Sequence, residues 1–203
     1  YDAENLAFIL PAGKYIGNSR YKDVFAASTT VDLTSYRNDW GAETGLDVTL
    51  YRPVARYELI AKDVETFLYK LSTGGLKGES FTARVKYSDY LPTGYNLWDD
   101  VPKNSLMYME YKVAFERPAD GTQELKLGFD YVLAGAGETA SIPVELEILN
   151  EKSEVLARTM LSIPCERGKN TTVRGNFLTS DVNGGIGIDP GYDGDLEVDL
   201  GEL

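Results

Sequence analysis

The chain has 203 residues, 43% of them hydrophobic, and carries 32 Asp and Glu against 20 Lys and Arg, a formal net charge of −12. Such an acidic chain repels the phosphate backbone and anionic lipid, so no nucleic acid or membrane surface is expected as its main partner. It has no histidine and one cysteine, which excludes Ser-His-Asp and Cys-His catalysis, histidine metal sites, an intrachain disulfide and a thiolate zinc cluster.

The early segments are "LAFILPAGKY" (6–15), "KDVFAAS" (22–28) and the long apolar-rich "LDVTLYRPVARYELIA" (46–61). Pro53 cannot donate to a ladder, so it marks an edge, a bulge or a switch between sheets. No window approaches the roughly 18–20 apolar residues of a membrane helix. The chain starts at Tyr1 without a methionine, which reads as a processed end with any export signal removed.

"DVETFLYKL" breaks the pattern. Val64, Phe67, Leu68 and Leu71 fall at i, i+3, i+4 and i+7, with Asp63 placed to cap the first turn. This spacing predicts one short helix near 63–71, ended by "STGG" at 72–75.

Beyond the helix the dominant period is two. "FTARVKY" puts Phe81, Ala83, Val85 and Tyr87 on one face, and "MYMEYKVAF" does so with Met107, Met109, Tyr111, Val113 and Phe115. "LKLGFDYVL" aligns Leu125, Leu127, Phe129, Tyr131 and Leu133, and "IPVELEIL" aligns Ile142, Val144, Leu146 and Ile148. Successive side chains on a strand point to opposite faces, so each segment reads as a half-buried strand. "NEKSE" is a tight turn that makes 142–163 a hairpin, and "RPADGT" and "AGAGETAS" are loops. The expected fold is all-β, an antiparallel β-sandwich in two domains: 1–62, a possibly incomplete N-terminal β-domain, and 63–203, the larger sandwich with an acidic, glycine-rich tail.

Several stretches invite a site. "RGKNTTVRGNF" (167–177) clusters three basic residues and two glycines. A phosphate loop needs G-x-x-x-x-G-K-[ST], but the residue five before Gly168 is Ile163 and the one after Lys169 is Asn170, so both positions fail. The segment reads as a turn at 167–170 and a strand with Thr171, Val173, Gly175 and Phe177 on one face. Asn170-Thr171-Thr172 is a glycosylation sequon, a common triplet by chance. Cys165 reads as a small buried apolar side chain.

The tail concentrates Asp189, Asp193, Asp195, Glu197, Asp199 and Glu202, an invitation to calcium, yet Val198 occupies the position where an EF-hand loop starting at Asp193 needs glycine. A solvated acidic end with "LEVDL" as an edge strand is the simpler reading. "YSDYLPTGYNLWDD" (87–100) is an aromatic loop whose Tyr90, Tyr95 and Trp98 are the candidate ligand or partner contacts; the competing reading is that its rings pin the loop to a sheet. The many carboxylates allow a glycosidase-like pair to be drawn, but nothing marks two of them as facing each other. No catalytic residue, cofactor or metal ligand is assigned.

Two regions carry a resemblance. "LYRPVARYELIAKDVETFL" (50–68) resembles the L-x-RP-x-A strand of bacterial fimbrillin-family proteins, and "KDVFAAS" resembles the Asp-x-Phe-x-Ala segment preceding it. "IPCERGKNTTVRGNFLT" with "GGIGIDPGYDGDLEVDL" is similar to the closing section of an uncharacterised branch of that group. The resemblance implies transthyretin-like sandwich domains, a lipid anchor upstream of this chain, an outer-membrane or cell-surface location, and adhesion or fimbria assembly by strand addition to other fimbrial subunits or surface proteins. The leading expectation is therefore a non-enzymatic surface protein of fimbrillin type. The alternatives are a glycan-binding module using the 87–100 loop and a carboxylate hydrolase.

Overall fold

The computed structural model describes residues 6–7, 15–137, 139–180 and 195–197. Their strands are β1 (Leu6–Ala7), β2 (Val54–Ala61), β3 (Ser80–Tyr87), β4 (Leu91–Asn96), β5 (Val101–Leu106), β6 (Glu110–Glu116), β7 (Leu125–Leu133), β8 (Thr139–Asn150), β9 (Val155–Glu166), β10 (Asn170–Gly175) and β11 (Asp195–Glu197). One helix, α1 (Val64–Ser72), follows β2. The strands form two four-stranded sheets, β6-β3-β8-β9 and β11-β10-β2-β7, and a smaller sheet, β1-β4-β5. The fold is an all-β sandwich. No described helix is long and apolar enough to cross a membrane.

The alternation places the core. β3 buries Phe81, Ala83, Val85 and Tyr87, and β8 buries Ile142, Val144, Leu146 and Ile148 beside it. From the facing sheet come Ala55, Tyr57 and Leu59 of β2 and Val173 of β10, while Val64, Phe67 and Leu68 of α1 close one end. Each fully buried large side chain contributes about 1.5–3 kcal/mol relative to exposure. The β8–β9 hairpin forms as its turn sequence predicts, over the register Thr139↔Glu166 to Leu149↔Val155.

Pairing departs from the sequence expectation in instructive places. β2 lies between β7 and β10, so residues 54–61, on the N-terminal side of residue 62, form an inner strand of a sandwich sheet with strands from the other side. β10 runs parallel to β2, from Asn170↔Arg56 to Gly175↔Ala61, although an antiparallel sandwich was expected. The turn at 167–169 carries the chain from β9 in one sheet to β10 in the other, and the arriving strand takes β2's direction.

The even alternation expected across 125–133 fails at a bulge. Leu59 faces Gly128 but Ile60 faces Lys126, leaving Leu127 as the extra residue. Gly128 takes φ 155°, and a Cβ there would lie 3.2 Å from Tyr111 Cε2. Consequently Leu127 and Val132 join the main core, whereas Phe129, Tyr131 and Leu133 pack on the opposite side of the sheet with Val54 and Tyr95.

Other boundaries shift as well. β6 begins at Glu110 rather than at Met107, because Tyr108 adopts φ 61° and ends the extended run. "KDVFAAS" forms no strand beyond the bridge Ala26↔Tyr51. Asp63 precedes α1 but makes no side-chain cap there; its carboxylate instead accepts hydrogen bonds from the backbone N–H groups of Leu178 and Thr179 and from the Thr179 hydroxyl. The long strand read from residue 46 starts only at Val54, and residues 28–50 are exposed.

Candidate functional site

The 87–100 segment is not one loop: it runs from the end of β3 through β4 to the turn of the β4–β5 hairpin, and this separates the aromatic residues that share it. Tyr87 is buried in the sandwich. Tyr90 and Trp98 stand 62% and 81% exposed, one before β4 and the other in the turn after it. Tyr95 is buried against Val54, Tyr131 and Leu133. Its hydroxyl donates to Asp100 Oδ1 at 2.8 Å, Tyr51 donates to the same oxygen at 2.7 Å, and Arg167 Nη1 donates to Asp100 Oδ2 at 2.6 Å. Burial and the Asp100 bond push the Tyr95 phenol up to about 12. Tyr95 and Arg167 therefore fasten the hairpin to the turn before β10, and the three candidate residues form no single platform.

Tyr87 belongs to a closed polar network. It donates to Asp130 Oδ2 at 2.6 Å and shares a 2.8 Å hydrogen bond with Tyr57, whose hydroxyl is 3.3 Å from that of Tyr111. Tyr15 also donates to Asp130, and Lys22 Nζ donates to the Tyr15 hydroxyl at 2.6 Å. Burial pushes the phenols of Tyr57, Tyr87 and Tyr111 well up, so they remain neutral donors. The network docks segment 15–22 onto the sandwich. It packs among core residues and serves as a fastening.

Cys165 is buried, as its sequence context predicts, and burial followed by the charge of Asp130 pushes its thiol up to about 12. Asn170 of the sequon is buried, and its side-chain amide donates to Thr172. Among the described residues no group of three or more His, Cys, Asp or Glu is placed to hold a metal. Asp189, Asp193, Asp199 and Glu202 of the acidic tail lie outside the described residues, and of Asp195 and Glu197 only the strand is described.

The outer face of the β10-β2-β7 sheet carries a feature that spacing did not announce. A cleft of about 640 Å³ is lined by Arg20, Arg52, Arg56, Lys126 and Lys169, together with Asp23, Asn170, Phe129 and Tyr131. Arg52 pairs with Asp23 at 2.9 Å, Arg56 and Lys126 share Glu58 at 2.9 and 2.7 Å, and Lys169 pairs with Glu166 at 2.6 Å. Burial raises Glu58, but hydrogen bonds from Lys126 and Arg56 outweigh it and hold the carboxyl below its ordinary value. Arg56 and Lys126 each lie 4.9 Å from the Phe129 ring centre. Of these cations the sequence reading flagged only Lys169, in "RGKNTT". The rest come from three other segments with no shared motif, and no linear pattern could have gathered them.

The sequence model of a family of unknown function, DUF6562, matches residues 1–201, and the chain belongs to that family. No curated protein sequence matches it. Among solved structures, the chain is similar to a "putative cell adhesion protein" from Bacteroides ovatus ATCC 8483, with 13% identity and a TM-score of 0.33. That match covers 63% of this chain and 40% of the other.

Proposed function

We propose that this member of DUF6562 is a non-enzymatic cell-surface protein of fimbrillin type, exported and anchored at the outer membrane, that acts in adhesion or fimbria-like assembly by β-strand addition. The observation that carries this reading is a strand pattern without a sheet. In "LDVTLYR" the apolar residues alternate, yet Leu46, Val48 and Leu50 are 53%, 45% and 63% exposed and no described strand lies beside them. An extended segment of this kind gains a hydrogen-bond ladder and a buried apolar face by adding to the sheet edge of a neighbouring subunit. Among the described residues a receiving edge is at hand. β10 is buried over five of its six residues, but β11 pairs with only Asn170, Thr171 and Thr172 on its outer side.

Sedimentation and negative-stain microscopy of the intact chain across concentration, with and without limited trypsin treatment, test the assembly. Self-association that Val48→Pro abolishes is the expected result, because proline removes a ladder donor at an exposed position. A monomer under every condition would count against assembly and leave adhesion by a single subunit. A second reading, glycan binding at the hairpin, is favoured by the 81% exposure of Trp98. Glycan-array binding lost on Trp98→Ala supports it, and silence across the array refutes it.

A further inference from the structure

We infer that the basic cleft on the outer face of the sheet binds an acidic oligosaccharide, a sugar chain of a few rings bearing carboxylate or sulfate groups. Three features of the cleft point to this ligand. Five cations converge on it in a chain whose net charge is −12, and among the described residues only three carboxylates, Asp23, Glu58 and Glu166, pair with them. Arg20 has no ion-pair partner among the described residues, and Glu58 is shared between Arg56 and Lys126. Among the described residues its cations therefore outnumber its carboxylates, an excess that an anion neutralises, and the planar guanidinium groups suit carboxylate or sulfate oxygens in pairs.

The second feature is an unused donor. Tyr131 is 7% exposed and lines the cleft, and its hydroxyl makes no hydrogen bond with any described residue. Burial and the charge of Asp23 push its phenol up, against Arg56, Arg20 and Arg52, so it stands protonated beside the guanidinium groups. A ligand oxygen in the cleft can accept from this hydroxyl and so pair a donor that no described residue uses.

The third feature selects sugar over peptide or a bare oxyanion. The cleft lies over β2, which is hydrogen-bonded to a strand on each side, so an extended peptide finds no free backbone there. The charged groups that line it are all side chains. Asp23 in the same wall repels a simple polyanion but accepts a hydrogen bond from a hydroxyl. A ligand carrying both anionic groups and hydroxyls satisfies the whole lining. The volume falls within the roughly 300–1,000 Å³ of small-molecule sites. The inference does not depend on strand assembly.

Isothermal titration of the full chain with a heparin-derived tetrasaccharide and with trigalacturonate tests it, against neutral maltotetraose, inorganic sulfate and a hexaglutamate peptide. Saturable binding of at least one acidic oligosaccharide, weakening as salt rises, is expected, with maltotetraose silent. Arg20→Gln should weaken that binding about tenfold, since it removes a charge-assisted hydrogen bond. Arg20 is exposed and makes no side-chain hydrogen bond or ion pair with a described residue, so this variant should leave the fold intact; Tyr131→Phe should weaken binding severalfold while preserving packing. No binding of either acidic sugar overturns the inference, as does equal affinity for inorganic sulfate or hexaglutamate. Binding that both variants leave unchanged also overturns it, and binding lost only on Trp98→Ala moves the site to the hairpin.

Discussion

Lys22 Nζ lies 2.5 Å from Asp130 Oδ1, with the two side chains 8% and 0% exposed. Burial pulls the Lys22 ammonium below its ordinary value, while Asp130 opposes that shift. An ion pair out of water holds only while both members are present, because the survivor keeps its desolvation cost. Lys22→Met is expected to destabilise the fold by about 3–5 kcal/mol in urea unfolding. The double variant Lys22→Met, Asp130→Asn should cost clearly less than the sum of the two single changes. Additivity would show that the two residues act independently.

Gly128 decides which side of the sheet Asp130 faces. Alanine at φ 155° is strained, and its Cβ would press on Tyr111 and Val113 at 3.2 Å. Gly128→Ala should cost about 1–3 kcal/mol. Because Tyr111 is hydrogen-bonded to Tyr57 in the network around Asp130, near-UV circular dichroism should change as well. An unaltered spectrum and midpoint would mean that the bulge relaxes freely.

Glu147 sits on the outward face of the other sheet, between Arg84, Lys86 and Arg158. Burial raises its carboxyl, but hydrogen bonds from Lys86, Arg158 and Arg84 prevail and hold it down to about 2. Its folded value lies below the unfolded one near 4.3, so its stabilisation is present above about pH 4.3 and is lost as pH falls through about 2. Glu147→Gln should cost on the order of 2 kcal/mol at neutral pH and flatten the fall of melting temperature between about pH 4.3 and 2. An unchanged acid limb would assign that fall to other carboxylates.

Cys165, with its thiol pushed up to about 12, is ionised in about one molecule in 10⁴ at pH 8. Disulfide-exchange reagents should modify it only at the rate of unfolding in native buffer, and within seconds in denaturant. Rapid native labelling would contradict its burial.

Asp63 ties the segment after β10 to the start of α1. Asp63→Ala should cost about 1–3 kcal/mol and accelerate hydrogen exchange at the Leu178 and Thr179 amides before the rest of β10. Exchange unchanged at these amides would assign their protection to other contacts.

Much of the sandwich was legible beforehand. The faces of β3 and β8, the 151–154 turn, α1 and the inward set Thr171, Val173, Gly175 and Phe177 follow from neighbour spacing alone. Where the reading failed, the cause lay in pairing with distant strands. The even alternation at 125–133 breaks because β2 and β7 meet with a one-residue offset. Leu46, Val48 and Leu50 carry a strand pattern but have no neighbouring strand among the described residues. Tyr90, Tyr95 and Trp98 are close in sequence, yet a strand places them at different ends and depths.

Sequence alone determined the period of each segment, the absence of histidine chemistry and the burial of Cys165, because local sterics and composition act between neighbouring residues. Only the tertiary structure decided that β10 runs beside β2, that Asp130 turns inward to meet Lys22, Tyr15 and Tyr87, and that Arg20, Arg52, Arg56, Lys126 and Lys169 share one cleft. Those outcomes depend on which strands become neighbours and in what register, and one bulge reverses the face of every residue after it.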